Sequence, residues 1–352
     1  MKTKNIQAVI ITLILLSVQL TVNADEFTKK MSKSYDVESN ATLVLKNKFG
    51  KIQCENWDQN KITIDVEIKV EASSQEKANK YFERINVDIS GSSTKVSVVT
   101  DFDNDIFNKN KNNNISVDFY IKMPASINLD VSHKFGDLII AIVKGNSEIE
   151  LAYGNMDVQR LEGNSNVIDV KFSEAEIDYV KNAELDLQYS ELEIDEAGSM
   201  NAESKFSEFE IGKADVLTLE SGYDDENIGY VRDFDLDAGF SDVDVRNVQE
   251  RLVAVMDYGE LKVKEVDAGF SKIDVSSSYG GVDIGINPEA SFKLIATVKM
   301  GDFSYPRSKA RISEAELSYT SKKYEGVVGD NENPAARVMV DVKNGGANIY
   351  YR

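Results

Sequence analysis

From Phe135 onward, apolar and polar residues alternate in short runs, interrupted at regular intervals by a Phe or Tyr. The stretch from Asn182 to Asp195 shows the unit: Ala183, Leu185 and Leu187 alternate with polar residues, Tyr189-Ser190 intervenes, and Leu192 and Ile194 resume the alternation. A period of two marks a half-buried strand, so each unit predicts two short strands. The marking aromatics are Phe135, Tyr153, Phe172, Tyr189, Phe206, Tyr223, Phe240, Tyr258, Phe270 and Tyr279, with successive gaps of 18, 19, 17, 17, 17, 17, 18, 12 and 9 residues. A fixed period of this kind predicts stacked supersecondary units rather than one globular core.

Counted from each aromatic, the third and fifth following positions are apolar: Leu138 and Ile140, Met156 and Val158, Ala175 and Ile177, Leu192 and Ile194, Phe209 and Ile211, Val243 and Val245, Leu261 and Val263, Ile273 and Val275, Val282 and Ile284. These are the expected interior. The Tyr223 unit departs, with Glu226 in a core slot, and a local bulge or loop is expected there. The Phe/Tyr alternation suggests that 17 residues make half a coil and about 34 a whole one, with Phe stacking on Phe along one side and Tyr on Tyr along the other. The fold class this predicts is all-β, a right-handed parallel β-solenoid in which adjacent coils pair equivalent residues at about 4.8 Å. The competing antiparallel meander calls for two-residue turn signals such as Asn-Gly, which are scarce.

The repeats occupy 131–285, and residues 25–130 read as a mixed β region that caps them. Lys61 to Val70 keeps its apolar residues on one parity. A short helix at about 74–85 is predicted from the S-x-x-E form of Ser73-Ser74-Gln75-Glu76 and the spacing of Ala78, Tyr81, Phe82 and Ile85. Ile85 to Thr100 reads as a hairpin turning at Ser90 to Ser93, and Asp103 to Asn114 as a loop. Residues 286–352, with Pro288, Pro306 and Pro334, read as a C-terminal β cap, since a solenoid's open sheet ends need covering.

Residues 1–24 carry Lys2 and Lys4, an apolar run from Ile6 to about Leu20 and Val22-Asn23-Ala24, the form of a signal peptide cleaved after Ala24. An uncleaved anchor helix is the alternative, although the run is short against the roughly 20 apolar residues a span requires. No later segment is apolar enough to cross a bilayer as a helix, so the expected location is exported: periplasm, cell surface or extracellular. Cys54, the only cysteine, excludes an internal disulfide and shares the parity of Ile52, which suggests a buried thiol. Between residues 131 and 285 there are 35 Asp and Glu against 13 Lys and Arg. That field disfavours nucleic acid and anionic lipid and favours cations or basic partners, or it serves solubility alone.

Several segments resemble a known family. Lys48-Phe49-Gly50-Lys51-Ile52 followed by Trp57-Asp58-Gln59-Asn60-Lys61-Ile62, the later Lys134-Phe135-Gly136-Asp137-Leu138, and the closing Tyr324-Glu325-Gly326-Val327-Val328-Gly329 with Gly345-Gly346-Ala347-Asn348-Ile349 are similar to the putative adhesin family of exported bacterial β-strand-repeat proteins, common in Bacteroidetes and largely of unknown function. The resemblance covers most of the mature chain and implies a β-solenoid or β-roll fold in the cell envelope. It brings no catalytic motif.

The candidate chemistry is an outward acidic ladder at the second and fourth positions after the aromatics. Glu174, Glu176, Glu208, Glu210, Asp242 and Asp244 fall on the Phe side of the expected coil, and Glu191 and Glu193 on the opposite side. At a coil spacing of about 4.8 Å two carboxylates repel by about 0.9 kcal/mol even in water. Such a ladder attracts cations, Ca²⁺ first among them, although no calcium-binding nonapeptide or EF-hand spacing is present, and a solvated face that blocks sheet aggregation is the plainer reading. No other cofactor is expected. The acids recur evenly, whereas a catalytic pair would stand out as an irregularity, and His133 is the only histidine. The expectation is a non-enzymatic envelope protein, an adhesin or interaction scaffold that engages a protein or glycan of the envelope or of an external surface. A periplasmic envelope-sensing or structural component and a solenoid polysaccharide-active enzyme are the alternatives.

Overall fold

The computed structural model describes residues 25–103 and 115–352. The expected signal peptide and residues 104–114 of the expected loop lie outside the described residues. The chain is almost all β: 26 strands join in one long sheet whose pairing is mostly parallel and repeat-like, with one short α-helix and one 3₁₀ turn among the described residues. The helix Gln75–Phe82 buries Ala78 and Phe82. Its N-cap is Ser74, one residue later than the S-x-x-E frame implies, and Ile85 already belongs to the strand Ile85–Gly91.

The repeat shows how these residues make a stack. The strands Glu174–Gln188, Glu191–Lys205, Glu208–Gly222 and Asp225–Gly239 each run for 15 residues and pair in parallel at an offset of 17. Within Glu174–Gln188 the inward positions are Ala175, Ile177, Val180, Ala183, Leu185 and Leu187. The alternation slips by one residue before Val180 and again before Ala183, bending the strand so that both arms face one interior. All the third- and fifth-position residues named above are buried.

The expectation of a 34-residue coil is incorrect. The chain returns beside itself after one 17-residue unit, and every marking aromatic except Phe270 stands in a single row. Phe and Tyr share that row because their rings differ only at the outward para position. Phe270 lies off it, buried and tilted against Phe292 with centroids 5.9 Å apart, in a unit lengthened by the turn Asp267 to Phe270. The row begins earlier than the repeat suggests. Phe49 stacks on Phe135, because Thr42–Lys48 pairs with Asn128–Lys134 and Ile52–Asn56 with Leu138–Val143.

The expected irregularity in the Tyr223 unit is also displaced. Glu226 stays in register, paired between Phe209 and Val243, and the register shifts between Val231 and Asp233, where the facing strand Asp242–Asp257 carries an extra residue. Antiparallel pairing occurs towards both ends. Lys61–Ala72 lies between Asp25–Asp36 and Ile115–Met123, while Ser321–Val328 lies between Phe292–Lys299 and Ala310–Ser318. Arg337–Lys343 inserts in parallel between Lys272–Ser278 and Phe292–Lys299.

Candidate interaction surfaces

Each marking aromatic of the row sits at a turn with φ between 51° and 64°, the left-handed region that bulky residues avoid. That conformation costs roughly 1–2 kcal/mol per residue. The geometry recovers it. Ten rings from Phe49 to Tyr279 stack in sequence with centroids 4.8 to 5.1 Å apart and planes within 8°, and such pairs contribute roughly 0.5–1.5 kcal/mol each. Parallel hydrogen bonding continues through the turn, as in Phe172 N–H to Gln188 O at 3.1 Å and Tyr189 N–H to Lys205 O at 3.0 Å.

The residue after every aromatic of the row but Tyr223 is Gly or Ser, for a reason that differs along the row. At Gly136 a Cβ would stand 1.7 Å from the Gly50 carbonyl oxygen. Further on, serines knit adjacent coils. Ser190 Oγ donates to Gln188 O at 2.8 Å and accepts from Ser173 N–H at 3.1 Å, and Ser207 Oγ accepts from Ser190 N–H at 3.2 Å. The residues of the row from Phe135 to Tyr279 are 44 to 56% exposed, yet their ring faces are covered by their neighbours and mainly edges meet solvent. Ring edges are electropositive, so this row is not a platform on which sugars can lie face to face with aromatics.

Beside the row run the acidic columns. Glu174, Glu191, Glu208, Asp225, Asp242 and Glu260 pair in succession, as do Asp157, Glu176, Glu193 and Glu210 in the next column outward. The sequence-derived candidates Glu174, Glu176, Glu208, Glu210, Asp242 and Asp244 are all exposed and share one face with Glu191 and Glu193. Placing the latter pair opposite followed from the mistaken 34-residue coil. The Glu176 carboxyl is held above its ordinary range, first by desolvation in the crowded column and then by the charges of Asp157 and Glu193. Among the described residues no group of three or more His, Cys, Asp or Glu is arranged to hold a metal ion.

Polar groups also enter the interior. His133 is fully buried, its Nδ1 facing Asn47 O at 3.3 Å and its Nε2 facing Gly50 O at 3.0 Å. Burial lowers its pKa, against the pull of the two carbonyls. Enclosed in this way it is a bridge between coils, out of reach of a substrate. Glu226 is 2% exposed, and its Oε1 accepts from Ser221 Oγ at 2.9 Å. Ser221 Oγ also stands 2.9 Å from Asp224 Oδ2 and 3.0 Å from Ser241 Oγ. Glu226 Oε2 and the nearby Ser204 Oγ have no hydrogen bond of ordinary geometry. Burial pushes the Glu226 carboxyl well above its ordinary range and raises that of Asp224. Sequence reasoning flagged Glu226 but not its serine lining, whose signal is the run of small residues Ser204, Ser221 and Ala238 two positions before successive aromatics.

No protein-family model matches the sequence, and no curated protein matches it. Several solved structures are similar at low identity. A structure from Parabacteroides distasonis called a putative adhesin is 10% identical, with a TM-score of 0.34, over 74% of this chain and 93% of that one. One of the same description from Bacteroides fragilis is 10% identical, with a TM-score of 0.31, over 91% and 97%. A putative cell adhesion protein from Clostridium sporogenes is 9% identical, with a TM-score of 0.19, over 92% and 100%. At these values the likenesses carry no functional argument. No helix among the described residues is long and apolar enough to cross a membrane.

Proposed function

We propose that this chain is a right-handed parallel β-solenoid of the cell envelope that acts without catalysis, as an adhesin or interaction scaffold engaging a protein or glycan. In this reading 131–285 is the wound body, 25–130 and 286–352 close its two ends, and the leader 1–24 is removed on export. The right hand follows from the strong preference of parallel crossovers. The observation that carries the functional reading is the uniformity of the exposed faces. Ring edges and carboxylates recur coil after coil, a distributed surface suited to contact with an extended partner. The segments that resemble the putative adhesin family point the same way.

The test is protease accessibility of the tagged protein on intact cells, with a lysed control and a known periplasmic marker, followed by binding of the purified protein to cell-envelope fractions and to foreign surfaces. Digestion on intact cells is expected for an adhesin. Digestion only after lysis leaves the periplasmic scaffold, and failure to bind any envelope or surface preparation rejects both.

A further inference from the structure

The acidic face changes character around Arg246 and Lys264. Six residues after the aromatics from Phe172 to Tyr258 lies an outward column that reads Asp178, Asp195, Gly212, Gly229, Arg246 and Lys264. Gly229 lines a groove here without a side chain, and a Cβ on it would stand 2.1 Å from the Gly212 carbonyl oxygen, so adjacent backbones approach closely at the groove floor. The column then rises again as cations. The resulting groove has a volume of about 770 Å³ and also takes in Asp244 and Tyr350.

Its chemistry differs from that of the face around it in three respects. Charge is balanced here, since Arg246, Lys262 and Lys264 meet Glu210, Asp244 and Asp283, whereas the repeat as a whole carries 35 acidic against 13 basic residues. Lys262 is paired with Glu260 at 2.7 Å. Arg246 and Lys264 hold no ion pair among the described residues, and the register of Val245 with Val263 sets them side by side as like charges. The Tyr350 ring leans over Gly285, its register partner: a Cβ at 285 would meet Cε2 and Cζ at 3.1 Å. Unlike the rings of the aromatic row, Tyr350 has no aromatic stacked on it among the described residues.

We propose that this groove binds a saccharide chain bearing a carboxylate, with a sugar ring against Tyr350, the carboxylate between Arg246 and Lys264, and hydroxyls hydrogen-bonded by Asp244 and Asn227. A single carboxylate relieves the Arg246–Lys264 repulsion. Three carboxylates in the groove oppose a multiply charged phosphate or sulfate chain, and the alternation of fixed donors and acceptors beside an aromatic ring suits a polyol. The assignment rests on the reading of the chain as an interaction protein and names the ligand class of one site on it.

The test is calorimetric titration of the full exported chain with a galacturonate hexamer and with 3′-sialyllactose, using the methyl-esterified hexamer as the uncharged control. Binding of at least one acidic probe is expected, with affinity at least tenfold weaker for the ester. The Arg246→Ala/Lys264→Ala double variant and, separately, Tyr350→Leu are each expected to weaken binding at least tenfold with the melting temperature unchanged. Which probe binds separates a plant- or bacterial-type uronate from a sialylated glycan. Absence of binding by both probes at millimolar concentration, or binding indifferent to all three side chains, overturns the proposal. If the chain still binds envelope or cell-surface preparations in that case, the interaction reading stands and only the groove assignment falls.

Discussion

Phe206 stacks on Tyr189 with ring centroids 5.0 Å apart and planes within 3°, although 17 residues separate them in sequence and both hold left-handed backbone. The pair condenses the logic of the fold: a strained turn is tolerated because the strain sets each ring on the one before it.

Phe206→Ala removes two stacking contacts and keeps the left-handed strain, so we expect a loss of about 1–3 kcal/mol. Phe206→Gly removes the same contacts but relieves the strain, and it should recover about 1 kcal/mol of that loss. Urea denaturation of both variants distinguishes the terms; equal losses would show that the turn carries no strain.

The Glu226 carboxyl implies a pH dependence of definite sign. Its pKa is raised in the fold, so below the unfolded value near 4.5 both states are protonated and there is no penalty. As pH rises above 4.5 the unfolded chain loses its proton first and stability declines until the folded pKa is reached. Asp224 adds a contribution of the same sign. Glu226→Gln should therefore gain stability relative to the parent as pH is raised from 4.5 towards 8, measured by denaturation at several pH values. A constant difference between the two proteins would contradict the assignment.

Cys54 is buried, and burial pushes its thiol up to about 12. In the native protein it should resist iodoacetamide at pH 8, and it should react fully in guanidinium. Rapid native alkylation would contradict the register that pairs Cys54 with Ile121 and Ile140.

Glu191 stands between Glu174 and Glu208 in a column of like charges. Glu191→Gln should stabilise the protein by up to about 1 kcal/mol at low ionic strength, with the gain shrinking in salt. Melting in millimolar calcium and in sodium chloride of equal ionic strength should give the same shift if the column is merely screened. An excess shift with calcium, reversed by chelator, would identify a ligated ion.

The period, the interior positions and the acidic columns were legible in the sequence because each depends on local alternation. The length of a coil was not. Val180 marks the two slips of parity that bend the strand, and an isolated slip reads in sequence as noise between two strands. The Phe/Tyr alternation then suggested two rows where one exists, since a hydroxyl at the outward end of Tyr189 leaves its stacking on Phe172 and Phe206 unchanged. Phe49 escaped the series because the whole segment from Trp57 to Ile127 intervenes before the next coil. The groove was hidden for another reason. Gly212, Gly229, Arg246 and Lys264 form a column only once the 17- and 18-residue registers are known.

The single-turn register makes length a separate variable in this architecture. Duplicating or deleting one unit between Tyr189 and Tyr223 adds or removes one ring, one serine link and one rung of each acidic column, and every remaining unit meets a neighbour equivalent to the one it had. A lineage can thus set the reach of such a molecule by counting units, while recognition residues such as Arg246 and Tyr350 change independently by substitution within a unit.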